Sequence, residues 1–304
     1  MKQFVDIPKI MHFYWGFNSN MSFLNLMTLI SFQRHNPDWQ IILHKPKRPS
    51  KYVLSQYIMD YRPQYTGNDY SIYLNRIDKL HVNEFDFATL AIDDDVAEVF
   101  KSDFLRWHLL STIGGGWSDM DILFLKPIEE IRTKNRMVLG REDQVDTAIV
   151  FRDYGYHPIG FYLSKASNPF FRDIFDNSYT YFDKKEYQSV GRLLLDKLFP
   201  NYRVIKNKFP DQNILDLSSS TVYPFSPREI LLIFKTYFPY KVCNCTIGIH
   251  WYNGSVYAKE FCNEYHNHKG NSNRGIWRII GLGKTKSTIQ HYLQDYMRFY
   301  DEMN

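Results

Sequence analysis

Apolar and polar positions switch between two periods along this chain, and the switching lays out strands and helices in turn. Ile7-Pro8-Lys9-Ile10-Met11-His12-Phe13-Tyr14-Trp15-Gly16 is an apolar and aromatic run closed by glycine, which predicts an opening strand. Leu24 to Phe32 is apolar at helical spacing and stops before Asn36-Pro37-Asp38-Trp39, after which Gln40-Ile41-Ile42-Leu43-His44 reads as a second strand. The chain therefore opens β-α-β, the start of an α/β sheet. From Tyr52 to Asp95 the pattern thins to a Tyr-rich stretch, with strand-like alternation over Tyr70 to Leu74 and an acidic Asp93-Asp94-Asp95 that reads as a solvated loop or helix start.

The sharpest change of period lies between Ser102 and Pro127. Ser102 is a good N-cap, Leu105, Leu109 and Thr112 recur at helical spacing beside Phe104 and Trp107, and Gly114-Gly115-Gly116 stop the pattern near Ile113. This predicts helix, glycine-rich turn, then an extended segment that carries Asp119 and Asp121 into the apolar run Ile122 to Leu125. Further on, Met137 to Asp143 reads as strand then turn, Thr147 to Phe151 as a strand, and Asn168-Pro169-Phe170-Phe171 as a helix start. Thr246 to Ser255 predicts a strand followed by an Asn253-Gly254 turn. The tail from Thr285 to Asn304 has Ile289, Tyr292, Leu293 and Tyr296 on one helical face, which suits docking against the core.

Two aspartates two apart on an extended segment point to the same side. Asp119 and Asp121 so placed can hold a hard cation, Mn²⁺ or Mg²⁺, which takes one or two protein carboxylates and completes its shell with water and substrate phosphate oxygens. The implied substrate is a diphosphate. Asp103 and Arg106 are three apart and share a helix face, which a returning chain would bring beside the aspartates; alone, such a pair reads as a surface ion pair. His250 ends a predicted strand, with Asn253 and Ser255 following as oxygen donors, and imidazole suits Mn²⁺ better than Mg²⁺. In α/β sheets ligands gather beyond the carboxyl ends of strands, which puts Tyr14, Trp15 and Gly16 near a nucleotide.

The string Ser102, Asp103, Arg106, Leu110, Gly114, Gly115, Asp119, Asp121 resembles the central motif of the Asp-x-Asp glycosyltransferases of family GT32, S-D-x-x-R-x-x-x-L-x-x-x-G-G-x-x-x-D-x-D. That family includes mannosyltransferases and capsular polysaccharide synthesis enzymes, with the clostridial glucosylating toxins as more distant relatives. The resemblance extends to the opening Ile7-to-Gly16 run, to Asn36-Pro37-Asp38-Trp39, and to the segment around His250, where Val256-Tyr257 replaces a terminal tryptophan. Gln188-Ser189-Val190-Gly191-Arg192-Leu193 lacks the proline of the corresponding family loop. The resemblance implies a GT-A, Rossmann-like sheet with flanking helices and a smaller, more helical acceptor side, all in one catalytic domain over 1–304. Its nucleotide-binding half would be about 1–130, its acceptor half about 131–260, and its C-terminal helix about 285–304. It further implies transfer from a nucleotide sugar, UDP-linked rather than GDP-linked, to a glycan or other hydroxyl, with the anomeric configuration retained. On that reading Asp119, Asp121 and His250 hold the metal. Asp103, Arg106, Asp119, Tyr14, Trp15, Gly16 and Ser255 line the donor, and Glu142, Asp143 and Asp146 are candidates for hydroxyl contacts or a base.

Composition narrows the alternatives. A net charge of +4 from 37 basic and 33 acidic residues is too balanced for a nucleic-acid binder, and the tract His44 to Lys51 is broken by prolines and reads as a loop, leaving at most peripheral membrane contact. Three cysteines form no even framework, and with no leader-like or membrane-spanning run the expectation is a reducing, cytoplasmic setting. Two other readings remain: a phosphotransferase using the Asp-x-Asp pair, although glycines rather than an apolar strand precede Asp119, and a zinc-stapled module from Cys243, Cys245, Cys262, His266 and His268, whose spacing is not that of a finger.

Overall fold

The computed structural model describes residues 7–16, 20–50, 65–131, 145–151, 155–235, 239–267 and 287–303. Strand β1 (Ile10–Tyr14), helix α1 (Phe23–His35), β2 (Gln40–Pro46) and β3 (Leu80–Phe85) form the opening unit, followed by helix α2 (Glu98–Thr112) and β4 (Gly115–Ser118). Next come β5 (Ile122–Phe124), β6 (Thr147–Ile149), β7 (Phe161–Ser164), helix α3 (Pro169–Tyr181), β8 (Ile214–Asp216) and β9 (Gly248–His250). The main sheet runs β3-β2-β1-β4-β7-β6-β8, and β5 and β9 form a separate antiparallel pair. β1 lies parallel to β2 and β4, and β2 parallel to β3, while β7 enters antiparallel between β4 and β6. The order 3-2-1-4 is that of a nucleotide-binding α/β half-sheet, so the α/β, GT-A-type architecture expected from the sequence is the one observed. Its switch point lies between β1 and β4.

The pleat of β1 divides the molecule. Met11, Phe13 and Trp15 pack into one core with α1 and the C-terminal helix, and Tyr14 enters a second core with α2 and α3. α1 is buried from Phe23 through Phe32, which explains why its apolar residues run all round it. Ser22 and Asn25 close its first turn as a capping box. In the tail, Ile289, Leu293 and Tyr296 are buried, as the apolar stripe predicts. Asn168 caps α3 by accepting from the Phe170 N–H at 3.0 Å.

Four expectations need correction. Ser102 is not a cap: α2 starts at Glu98, after Ala97, four residues earlier. The helix stops at the Ile113 cap just before the glycines, as expected, but only Gly114 lies in the turn, since Gly115 and Gly116 already belong to β4. Gly114 and Gly115 adopt φ of +74° and +92°, and a Cβ on Gly115 would meet the Ile10 carbonyl oxygen at 2.4 Å, so their smallness lets β4 open against β1. Tyr70 to Leu74 belongs to a 3₁₀ helix rather than to an alternating strand. The short strands β6, β7 and β8 join the main sheet and are accompanied by the helices Pro169–Tyr181, Arg192–Leu198 and Tyr202–Lys208, the more helical part expected, while Met137 to Asp143, with Glu142 and Asp143, lies outside the described residues. The basic tract is only partly a loop: His44, Lys45 and Pro46 belong to β2, Arg48 beyond it pairs with Asp94 at 3.2 Å and Lys47 with Asp86 at 3.6 Å, and Lys51 lies outside the described residues.

Candidate active site

Beyond the carboxyl end of β4 the chain turns at Met120 and Asp121, so the two aspartates sit in a tight connection rather than along a strand. α1 pins this turn: the Met120 carbonyl accepts from Asn25 Nδ2 at 2.8 Å and Thr28 Oγ1 at 3.2 Å. A polar residue inside an otherwise apolar helix is thereby satisfied by the turn that carries the site.

On α2, the Asp103 and Arg106 spacing does put both side chains on one face, but that face is inside the protein. Arg106 Nη1 lies 3.2 Å from Asp103 Oδ1 and its Nη2 donates to Asp119 Oδ1 at 2.9 Å, with only 3% of the arginine side chain exposed. Trp117 Nε1 donates to the same Asp119 oxygen at 3.0 Å, and the guanidinium lies 4.9 Å from the Trp117 ring centroid. A planar, delocalised cation tolerates this aromatic setting better than an ammonium would. Asp103 Oδ2, Arg106 Nε and Arg106 Nη1 are buried without a hydrogen-bond partner. Burial, opposed by Arg106 and reinforced by Asp119, pushes the Asp103 carboxyl up to about 7.

The other half of the site arrives from β9. Antiparallel pairing sets Ile122 opposite His250, and the Trp251 N–H donates to the Asp121 carbonyl at 2.8 Å. Asp121 Oδ2 accepts from the Asn253 N–H at 2.8 Å, and His250 Nε2 lies 3.2 Å from Asp121 Oδ1. Burial alone would raise the Asp121 carboxyl, yet His250, the Asn253 N–H and Lys259 hold it below the ordinary carboxylate range. Burial likewise works against a charged His250, and the two aspartates outweigh it and raise the imidazole. The His250 ring packs edge-on against Tyr252 at 4.3 Å and beside Tyr223 at 5.2 Å. Its Nδ1 is buried without a hydrogen-bond partner, so the acceptor expected behind a metal-ligating histidine is absent among the described residues.

One ligand atom from each of Asp119, Asp121 and His250 lies within 4.8 Å of the others. Two hard oxygens and one imidazole nitrogen, partly open to solvent, fit a six-coordinate divalent cation that keeps positions for water and phosphate. Asp103, Arg106, Asp119, Asp121 and His250 are thus brought together. Tyr14, Trp15 and Gly16 stand at the end of β1, but both rings are buried: the Tyr14 hydroxyl donates to Glu98 Oε2, and Trp15 belongs to the core. Ser255 caps the helix Val256–Asn267 by accepting from the Ala258 N–H at 3.1 Å. Asp146 is an anchor, its oxygens accepting from Lys165, Thr147 and the Asn213 N–H. Cys243 and Cys245 are joined as a disulfide and Cys262 is buried, so the C-x-C spacing closes on itself, which counting cysteines could not reveal, and neither thiol is free to hold zinc.

Three residues that sequence reasoning passed over belong here. Lys259 donates to Asn253 Oδ1 at 3.1 Å, Tyr223 is buried beside His250, and Gly160 backs Asp119. None lies in a patterned motif. Their only sequence signal is distance from the next element, which says nothing of where the fold delivers them.

A family model for capsular polysaccharide synthesis proteins matches residues 86–226, and one for the glycosyltransferase sugar-binding region containing the DXD motif matches residues 26–138. No curated protein matches the chain by sequence. Among solved structures, the PaToxG glycosyltransferase is similar over 68% of this chain and 75% of its own, at 15% identity and a TM-score of 0.42. The glycosyltransferase GlyE of Streptococcus pneumoniae TIGR4 is similar over 98% of this chain and 64% of its own, at 12% identity and a TM-score of 0.43. The galactosyltransferase LgtC is similar over 88% and 99%, at 10% identity and a TM-score of 0.39. The two family models share the stretch that holds Asp103, Arg106, Asp119 and Asp121, and the chain is accordingly a glycosyltransferase with the DXD-containing sugar-binding region.

Proposed function

We propose that this glycosyltransferase is metal-dependent and that Asp119, Asp121 and His250 hold a divalent cation, Mn²⁺ in preference to Mg²⁺, for a nucleotide-sugar donor. The observation that carries the reading is the convergence of these three side chains within 4.8 Å at the open end of β4. When bound, such a cation supplies Lewis-acid charge to the leaving diphosphate. The protein's own part is positional. Arg106 fixes Asp119 through Oδ1, and the Asn253 N–H and His250 orient Asp121. Lys259 adds a cationic group beside Asp121, suited to phosphate oxygens. Asp103 and Arg106, with buried atoms that lack hydrogen-bond partners, are suited to sugar hydroxyls. The end of β1 at Tyr14 to Gly16 is the side from which a base and ribose would enter, and the family resemblance supports UDP, retention of configuration and a glycan acceptor. The match to capsular polysaccharide synthesis proteins favours polysaccharide assembly by a single catalytic domain over 1–304. No described helix is long and apolar enough to cross a membrane.

Thermal-shift titration with UDP-, GDP- and CMP-sugars tests this, each with and without Mn²⁺. A ligand at about 100 times its dissociation constant adds about 2.7 kcal/mol to stability, so a donor that binds with metal raises Tm by several degrees. Shifts that are the same with and without Mn²⁺ would overturn the metal assignment.

A further inference from the structure

Three tyrosines at and after the end of α3 keep large exposed surfaces, and two of them are already engaged. Tyr179, 42% exposed, has its ring centroid 5.1 Å from that of Phe104 and donates its hydroxyl to the Leu90 carbonyl at 2.8 Å. Tyr181, 37% exposed, has the Lys197 ammonium 5.0 Å from its ring centroid. Tyr187 is as open, at 38%, and among the described residues no ring or cation stacks on it.

The loop that carries Tyr187 is tied to the active site. It runs from Asp183 to Gly191, between α3 and the helix Arg192–Leu198. Ser189 closes it, its Oγ accepting from the Asp183 N–H at 3.1 Å and donating to the Asp183 carbonyl at 2.9 Å. The Trp107 indole of α2 donates to the Val190 carbonyl at 2.7 Å, and Gly191 packs so closely on Asp103 that a Cβ there would lie 2.7 Å from Oδ2. Gln188 takes φ of +61°, a costly value for a residue with a side chain, and so turns the chain directly after Tyr187. The Gln188 side chain also hydrogen-bonds the Tyr187 hydroxyl. Burial raises that hydroxyl above the ordinary phenol range, Gln188 opposes the rise, and the charges of Asp103, Asp119 and Asp121 add to it, which places the oxygen within reach of all three carboxylates.

This arrangement selects stacking over hydrogen bonding. The hydroxyl is engaged by its own loop, so the residue offers solvent an uncharged ring face held in one orientation. A flat apolar surface laid on it gains buried area at little cost in side-chain entropy. A phosphate group has no such surface and would meet the negative charge of Asp103 and Asp119. A pyranose has one: its C–H bonds suit the negative face of an aromatic ring, and the hydroxyls at its rim can donate to carboxylates. Because the ring is more than a third exposed, a sugar on it stays open to solvent on its outer side. An acceptor that continues into a longer saccharide needs that opening, whereas a donor sugar is better enclosed away from water.

Resting on the function proposed above, we infer that Tyr187 is an acceptor-binding residue, a platform on which a pyranose ring of the acceptor stacks beside the donor site.

The test uses the full chain with Mn²⁺, UDP and GDP, and titrates methyl glycosides of glucose, galactose, mannose and N-acetylglucosamine by saturation-transfer NMR against wild type, Tyr187→Phe and Tyr187→Ala. Wild type should bind at least one glycoside, with the strongest saturation on the C–H protons of one sugar face. Tyr187→Phe keeps the ring and should bind it within about twofold of wild type; Tyr187→Ala should bind it about tenfold more weakly, the scale of one lost ring stack. Calorimetric titration of UDP, GDP, UDP-glucose and GDP-mannose in Mn²⁺ should give the same affinities for all three proteins, and Tm should move by no more than about 2 °C, as for a surface side chain. Glycoside binding that is absent from wild type, or equal in wild type and Tyr187→Ala, would overturn the inference. So would a selective loss of the sugar-bearing nucleotide in Tyr187→Ala, which would put the donor sugar on the ring, an equal loss of nucleotide and nucleotide sugar, which would put the base there, or a larger fall in Tm, which would make the ring a structural prop. Wild type that binds none of the four nucleotides would sink the metal-dependent nucleotide-sugar reading itself, a result read separately from the glycoside titrations.

Discussion

Helix α2 carries the same acid–base spacing twice, and the two pairs have opposite ends. Glu98 and Lys101 are buried and closed: Lys101 Nζ reaches the Arg48 carbonyl at 3.1 Å, the Asp94 carbonyl at 2.9 Å and Glu98 Oε1 at 3.2 Å. The Glu98 oxygens also accept from the Tyr14 hydroxyl and the Ser50 N–H. Asp103 and Arg106 sit one turn further on, equally buried, with Asp103 Oδ2, Arg106 Nε and Arg106 Nη1 lacking hydrogen-bond partners. A closed buried network holds loops in place. An open one holds polarity in reserve for something that arrives later, and it is the open pair that touches Asp119.

The largest effect should come from the open side. Asp121→Asn keeps an acceptor for the Asn253 N–H but loses the charge, so turnover should fall at least about 10³-fold, about 4 kcal/mol of barrier, with Tm shifted by only a few degrees. Turnover near the wild-type rate would remove Asp121 from the site. The closed side should answer in stability. Lys101→Met strands Glu98 in the interior, and urea unfolding should register a loss of about 3–5 kcal/mol while the folded fraction still binds nucleotide sugar and Mn²⁺. If the variant is stable but loses binding, the division between the two pairs is wrong.

A third buried cluster, also closed, predicts the response to acid. Asn83 Nδ2 donates to His44 Nδ1 at 3.0 Å, His44 and His12 share a 3.0 Å contact, and His12 Nε2 donates to the Gly114 carbonyl at 3.1 Å. The chain of donors works only with both rings neutral. Burial lowers His12 to about 4, against the pull of the Gly114 carbonyl, and burial together with His12 lowers His44 to about 3. The unfolded chain therefore takes up protons near pH 6.5 and the folded one does not. Stability should be flat above about pH 7 and fall as pH drops towards 4, by about 3 kcal/mol for His12 alone. A His12→Gln, His44→Gln double variant should flatten that slope in a Tm-versus-pH series; an unchanged slope would locate the acid sensitivity elsewhere. The smallest effect is Arg106→Lys, expected to lower turnover about 30-fold because one ammonium cannot span Asp103 and Asp119 as the planar fork does. A silent substitution would mean that the planar fork is not what holds Asp119 in place.

Much of this was legible from the residues alone. The β-α-β opening, the Asp-x-Asp pair, the shared face of Asp103 and Arg106 and the His250 strand end all follow from period and spacing. The misreadings have local causes. Ser102 has the chemistry of a cap, but α2 begins at Glu98 with no side-chain cap at all, because packing against the second core sets its start. Three glycines read as one breaker, but only Gly114 follows the helix cap, and Gly115 is there for the approach of the Ile10 carbonyl. Tyr223 and Gly160 were illegible because their role lies in where β7 and the segment before β9 are laid over Asp119, a long-range consequence of topology.

The β5–β9 pairing has a consequence for the order in which this protein becomes an enzyme. The Asp121 carboxylate and the Asn253 N–H that orients it are 132 residues apart along the chain. Closing so long a loop is entropically unfavourable until both ends have folded surfaces to pack. During synthesis the two aspartates emerge long before the imidazole that stands beside them. A fragment limited to residues 26–226, the span of the two matched family models, would hold both carboxylates and lack His250. Until the last third of the chain is made and docked, the nascent protein carries the motif without the three-ligand site.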